Sequence, residues 1–274
     1  MSTAMPRTVA RVDAVAPRPA GPAAPAPIPL RRIVGVELRK SFDTRAGIWL
    51  LAGIGIASLL TTGMVIAFGP GQELTYSSFT LAIGYPMSVI LPLIAILSVT
   101  AEWSQRSGLT TFTLVPHRGR VVLAKAIGLV TVTAVAMPVV FAAGALGNLI
   151  GSAVNGTDPV WNQGASDVLY FFLANVLLLM VGFMLGVLIR ASTGAIVAYF
   201  VYAFVAPGLL TLLALSQDWF RDLQPWVDPN YSQDALFDGG FGAEQWAQLG
   251  VTSAVWLVLP LAVGVVTLLR SEVK

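Results

Sequence analysis

The sequence predicts an all-α, polytopic membrane protein, and two of its features carry that prediction. Hydrophobic residues make up 56% of the 274-residue chain and charged residues only 11%, less than half of the roughly 25% found in an average soluble domain. The apolar residues also fall into six runs, each long enough for a helix that crosses about 30 Å of hydrocarbon. The six predicted spans are residues 47–68, 79–100, 121–150, 168–189, 194–215 and 247–269.

The distribution of positive charge predicts which way these spans are oriented. Of the sixteen Arg and Lys residues, only Arg221 falls in a segment that six alternating spans would place outside. Segments rich in Arg and Lys near spans stay in the cytoplasm. Both termini and the segment 101–120 are therefore expected in the cytoplasm, in a multi-pass protein of the inner (plasma) membrane. The bias towards Arg over Lys, with many Ala, Gly and Pro residues, suggests a bacterial source.

Two segments precede the first predicted span. Residues 1–29 are rich in Ala and Pro, which favours a disordered cytoplasmic tail, with a docking tail as the alternative. In residues 30–46 an apolar helical stripe is flanked by basic residues, which is typical of an amphipathic helix lying at the membrane interface. The alternative is a basic leader that only orients the first span. The stripe comprises Leu30, Ile33, Val34 and Leu38, and the basic residues are Arg31, Arg32, Arg39 and Lys40.

The long outer segment 216–246 is rich in aromatic side chains, which prefer the membrane–water interface. We therefore expect a short helix on the outer leaflet there, with a substrate-exit gate as the alternative. The aromatic residues are Trp219, Phe220, Trp226, Tyr231, Phe237, Phe241 and Trp246.

Small residues and prolines within the spans predict close packing and kinks. Gly147 with Gly151 and Gly182 with Gly186 have the GxxxG spacing that lets helices approach closely, either in the core or at a dimer seam. Proline inside a span removes one backbone hydrogen bond and can kink or hinge the helix. The span prolines are Pro86, Pro92, Pro138, Pro207 and Pro260.

The sequence excludes several kinds of chemistry. The chain has no cysteine, so disulfides and thiolate metal sites are excluded, and its lone His117 is a poor candidate for a metal ligand. It has no phosphate-binding loop of the GxxxxGK[ST] type and no hydrolase motif, so we expect no enzyme activity and no cofactor in this chain. The span interiors contain no ionisable residue that could relay protons, since Lys125 and Arg190 lie only at span ends. Energy for uphill transport would then come from another polypeptide, and nucleic acid is not an expected partner.

The polar segment after the second span is the best candidate for contact with a cytosolic partner. Glu102 follows the span directly, and it could pair with Arg106 four residues later on a short helix. Gly108 loosens that helix, and Pro116 ends it before the chain returns to the membrane. The segment would then present a short helix along the membrane surface, shaped to insert into a cleft.

At these residues the chain resembles the membrane subunits of type-2 ABC transporters. The resemblance rests on an acidic residue after the second span, a short helix with Gly and Thr, a Pro with a basic residue, and a Lys entering the third span. It is carried by Glu102, Gly108, Thr110, Thr111, Pro116, Arg118 and Lys125. The leader sequence VELRK, with Glu37, Arg39 and Lys40, also resembles this family, as do the six spans and the short connection between the fourth and fifth.

The resemblance implies a permease subunit of an ATP-driven exporter. Such a subunit pairs with a second copy of itself or a paralogous permease and binds two cytosolic ATPase subunits, which carry ATP and Mg²⁺. The segment after the second span would be the coupling helix, and the leader would be the connecting helix beside it. Two other functions stay open, a membrane scaffold that recruits a cytosolic partner and a sodium-coupled carrier. The substrate also stays open, although uncharged span walls suit a lipid-like or amphipathic cargo.

Overall fold

The computed structural model describes residues 28–43, 45–70, 74–104, 118–239 and 241–270, and these residues are almost entirely helical. Within them the only β-type pairing is one isolated bridge between Thr75 and Val160. In chain order the helices are α1 (Leu30–Asp43), α2 (Arg45–Phe68), α3 (Tyr76–Ser104), α4 (Arg118–Asn155), α5 (Ala165–Ile189), α6 (Ser192–Ser216), α7 (Asp218–Val227), α8 (Pro229–Asp238) and α9 (Ala243–Arg270).

Five of these helices, α3, α4, α5, α6 and α9, are long and apolar enough to cross a membrane. This supports the predicted all-α, multi-pass architecture. The apolar part of α2, Ala52–Phe68, is shorter than the other five, so a sixth crossing rests on the sequence argument. The connection between α5 and α6 is shorter than predicted, because Arg190 adopts a left-handed conformation (φ 58°) and turns the chain within two residues.

The aromatic-rich segment 216–246 begins with two helices, α7 and α8, rather than the single short helix that the aromatic pattern predicts. These two helices meet at Asp228, whose buried carboxylate caps α8 by accepting the Asn230 and Tyr231 amides. Leu236 packs against α5 in an apolar cluster, and Phe237 lies edge-on to the ring of Phe171. The segment is therefore anchored by apolar contacts inside the helical bundle.

The bundle is built around α3, and both GxxxG pairs pack against it. Gly147 and Gly151 of α4 face the fully buried ring of Phe79. Gly182 of α5 lies against the backbone of Pro92, and Gly186 lies against the next turn of α3. Both pairs thus serve close packing within this chain.

Pro92 also creates a polar contact in the middle of the bundle. Because proline has no N–H, the carbonyl of Ser88, one turn earlier in α3, loses its helical donor. The buried Tyr199 of α6 supplies a replacement, since its hydroxyl donates to the Ser88 oxygen at 2.8 Å. Around Pro92, α3 therefore packs against Gly182 of α5 and accepts a hydrogen bond from Tyr199 of α6.

Replacing Tyr199 with Phe is expected to destabilise the bundle by about 1–3 kcal/mol, because it leaves the Ser88 carbonyl unpaired in an apolar interior. The measurement is the free energy of unfolding in mixed micelles. In a Pro92→Ala background the same substitution should cost less, since alanine at that position restores a backbone N–H donor to the Ser88 carbonyl. Equal costs in the two backgrounds would contradict this account, and Tyr85→Phe on the exposed face of α3 is the matched control.

Two π-helical turns interrupt the spans that flank α7 and α8. They comprise Val201–Val205 in α6 and Ala254–Val258 in α9, and each is followed two residues later by a proline. The side chain of Asn230 in α8 donates to the Tyr202 carbonyl, and the indole of Trp256 donates to the Val227 carbonyl. The widened turns thus provide the polar groups that hold α7 and α8 in place.

Candidate functional site

One end of the bundle carries most of the positive charge of the described residues. It is formed by α1, the end of α3, the start of α4, the α5–α6 turn and the end of α9. Thr100 and Ser192 share a hydrogen bond of 2.9 Å there, and Arg190 donates to Thr267 at 2.8 Å. Among the described residues, every Arg and Lys except Arg221 lies at this end. We call it the basic end.

Helix α1 packs on the first turns of α4 at the basic end. Its buried side carries Ile33, and its partly buried Leu38 would touch a Cβ placed at Gly128 of α4. The guanidinium of Arg120 donates to the Ile28 carbonyl at 2.7 Å, which fixes the start of the helix. The three arginines of α1, Arg31, Arg32 and Arg39, lie on the opposite, exposed face. The helix is amphipathic, and α4 covers its apolar side.

A buried ion pair joins the two helices. Lys125 of α4 donates to Glu37 Oε2 at 2.5 Å, and Lys40 donates to Glu37 Oε1 at 2.7 Å. The side chains of Glu37 and Lys125 are only 5% and 6% exposed, whereas Lys40 is 46% exposed. We call these three residues the α1–α4 junction.

The electrostatics of the junction favour the ionised pair. Burial alone would raise the pKa of the Glu37 carboxyl, but the charges and hydrogen bonds of Lys125 and Lys40 outweigh it and lower that pKa below its ordinary value of 4.5. Removing one member of such a buried pair strands the other charge in an apolar environment, which costs about 3–5 kcal/mol. The pairing therefore fixes how α1 sits on α4.

The lowered pKa predicts how docking of α1 depends on pH. A carboxyl whose pKa is lower in the folded state stabilises that state above its ordinary pKa, and the contribution is lost as pH falls through the folded value. We therefore expect α1 to remain docked at neutral pH and to separate from α4 as pH falls below 4.5.

Spin labels at two exposed positions, Val36→Cys and Leu123→Cys, would report the α1–α4 distance, because the chain has no other cysteine. As pH falls to about 3, the distance should lengthen in the labelled chain and stay constant when Glu37→Leu and Lys125→Met replace the pair. The same acid transition in both proteins would exclude Glu37 as its cause.

The predicted partner-contacting residues fall into three groups. Glu102 lies in the last turn of α3, and Arg118 is the first residue of α4. Glu37, Lys40 and Lys125 meet in the junction, while Arg39 lies exposed on α1. The predicted coupling helix and most of the N-terminal tail lie outside the described residues, so the predicted Glu102–Arg106 pair does too. The coupling residues concerned are Arg106, Gly108, Thr110, Thr111 and Pro116.

No protein-family model and no curated protein sequence matches this chain. The likeness to type-2 ABC permeases thus rests on the motif residues and the order of the spans. In the described part of the chain, no group of three or more His, Asp or Glu residues is arranged to hold a metal ion. The site that the structure offers is the basic end with its buried junction.

The sequence identified Glu37 and Lys125 separately but not their contact. Glu37 lies four residues after Ile33, so it falls on the apolar face of α1, where a carboxylate requires a cation. Lys125 lies within the apolar start of α4, where an ammonium requires an anion. Two charges of opposite sign, each in an apolar stretch of helix, were the sequence pattern from which the pair could have been predicted.

Proposed function

We propose that this chain is the transmembrane permease subunit of an ATP-driven exporter. In this proposal it dimerises with a second copy of itself or a paralogous permease. Two cytosolic ATPase subunits bind the basic end and carry the ATP and Mg²⁺. The direction of transport follows from the resemblance to type-2 ABC permeases.

The observation that carries the proposal is the buried Glu37–Lys125 pair at the basic end. It joins α1 to the first turns of α4, at the end of the segment 101–120 that the sequence marks for partner contact. Close-packed elements transmit displacement because they have little room to deform. A partner that displaces this segment would move α4 and α1 together, and α4 is packed against α2, α3 and α5.

The proposal includes a topology. We take α2 as the first of six spans, which puts both termini and the basic end in the cytoplasm of a bacterial cell, with the protein in the inner membrane. The concentration of Arg and Lys at one end of the bundle supports this orientation. The acidic residues of the α7–α8 region would then face outward.

Each predicted residue has a role in this proposal. Glu102 ends α3 at the edge of the coupling segment, and Arg106, Gly108, Thr110, Thr111 and Pro116 shape the coupling helix. Arg118 starts α4 on the far side of that segment. Arg39 lies exposed on α1, the proposed connecting helix, beside the junction.

The test is copurification with the candidate ATPase encoded beside this chain, followed by ATP hydrolysis in lipid nanodiscs. We expect a stoichiometric complex with vanadate-sensitive hydrolysis. Glu102→Ala or Gly108→Pro should lower that hydrolysis while membrane insertion is unchanged. Arg221→Gln, at the opposite end of the bundle, is the matched control and should behave as wild type. Failure of any ATPase to bind, or unchanged hydrolysis in the first two variants, would overturn the proposal.

A further inference from the structure

The exposed face of α1 carries three arginines close together. Arg31 and Arg32 are neighbours in the first turn, and Arg39 lies two turns later at a helical angle between them, since each residue advances the helix by about 100°. All three side chains are exposed. They form a ridge about 12 Å long on the side of α1 that faces away from α4.

The charge of this ridge is not neutralised within the described part of the chain. Among the ion pairs of the described residues, none involves Arg31, Arg32 or Arg39. Glu37, an acidic residue of the same helix, points to the opposite side and is buried against Lys125. The ridge therefore presents three guanidinium groups to its surroundings.

The position of α1 along α4 favours a ridge near the lipid headgroups. α4 has 38 residues and is about 57 Å long, well beyond the roughly 30 Å of bilayer hydrocarbon, so part of it extends past the hydrocarbon. Its first turns carry Arg118, Arg120 and Lys125, which are costly inside hydrocarbon, so we expect these turns at the edge of the membrane. Helix α1 contacts α4 at Arg120, Lys125 and Gly128, within these first turns.

We propose that Arg31, Arg32 and Arg39 form a binding site for the phosphate of anionic phospholipids. Guanidinium groups bind phosphate in a bidentate manner, and a basic cluster beside a membrane span is attracted to anionic lipid. The chain enters α2, its first apolar helix, directly after α1, which fits this arrangement. This lipid site does not depend on the transport proposal.

The test measures lipid binding to the full-length chain in detergent by native mass spectrometry. The probe is dioleoylphosphatidylglycerol, and dioleoylphosphatidylcholine is the neutral comparison. The wild-type chain should prefer phosphatidylglycerol. Because each basic residue near a membrane surface contributes about fivefold, Arg31→Gln/Arg32→Gln/Arg39→Gln should weaken phosphatidylglycerol binding on the order of 100-fold.

Arg221→Gln is the control, since it removes an arginine from the other end of the bundle and should leave the lipid preference unchanged. Equal phosphatidylglycerol binding by the triple variant and the wild type would overturn the proposal. So would a triple variant that retains phosphatidylglycerol but no longer copurifies with an ATPase, because the ridge would then bind a protein partner. Circular dichroism of the triple variant should match the wild type, because all three side chains are exposed.

Discussion

Replacing Lys125 with Met is expected to release α1 from α4. The substitution leaves the Glu37 carboxylate buried without its main cation, a penalty of about 3–5 kcal/mol. Helix α1 can avoid that penalty by separating from α4, so its amide protons should exchange at least about 100-fold faster. Hydrogen exchange of α1 in nanodiscs measures this directly.

Two variants make that prediction specific to the ion pair. Glu37→Leu/Lys125→Met replaces both charges by apolar groups of similar size, and such replacement of a buried pair is often neutral, so protection of α1 should recover. Arg39→Gln alters an exposed side chain on the same helix and should change stability by less than about 0.5 kcal/mol. If the α1 amides of the Lys125→Met variant exchange as slowly as those of the Arg39→Gln variant, the Glu37–Lys125 pair does not hold α1 on α4.

Adding a methyl group at Gly182 is expected to force α5 away from α3. A Cβ there would lie 2.6 Å from the Cα and 2.8 Å from the carbonyl carbon of Pro92, and backbone atoms cannot rotate aside as a side chain can. We expect Gly182→Ala to cost about 3 kcal/mol, the upper part of the usual range for overpacking. Unfolding in mixed micelles is the measurement.

The other glycines provide a graded series. Gly186→Ala should cost less than Gly182→Ala, because its nearest neighbour is the Val99 side chain at 3.1 Å. Gly208→Ala has open space around it and should be neutral or stabilising by up to about 1 kcal/mol, through helix propensity alone. A Gly182→Ala variant as stable as Gly208→Ala would mean that α3 and α5 are not in contact at Pro92.

The long helices could be predicted from sequence because their signal is local. An uninterrupted apolar run is sufficient to identify a span, and five of the six predicted runs correspond to helices of membrane-crossing length. The amphipathic pattern of α1 was equally readable, since Ile33 is buried and Arg31 and Arg32 are exposed.

The junction could be predicted only in part because it depends on contacts distant in sequence. Glu37 and Lys125 are separated by 88 residues, and periodicity does not show which charges meet. The hydrogen bond of Tyr199 could not be predicted for the same reason. Its acceptor, the Ser88 carbonyl, lacks a helical donor only because Pro92 has no N–H.

The structure of segment 216–246 could not be predicted in full for a different reason. Its aromatic residues predicted a membrane-interface helix, but the position of α8 depends on Asp228 as a buried helix cap and on π-helical turns in α6 and α9. A capping carboxylate followed by Pro229 was visible in the sequence. The widened turns were not, because neither has a distinctive composition.

We propose that α1 and the first turns of α4 move as one body between an ATPase and the bundle. A disulfide can test it, because a Cβ at Gly128 would lie 3.7 Å from the Cβ of Glu37, close to the mean of about 3.8 Å in disulfides. The variant Glu37→Cys/Gly128→Cys, with Lys125→Met to avoid a stranded charge, would exchange the ion pair for a covalent bond. Oxidised and reduced samples of one preparation serve as matched controls.

The decisive measurement is ATP hydrolysis by this variant in complex with the partner ATPase, in nanodiscs, before and after reduction. We expect a rate close to wild type while the disulfide is intact and the same rate once it is reduced, because two uncharged side chains in place of the Glu37–Lys125 pair leave α1 docked on α4. Loss of hydrolysis in the oxidised complex with recovery on reduction would contradict the proposal, since α1 would then have to leave α4 during the cycle.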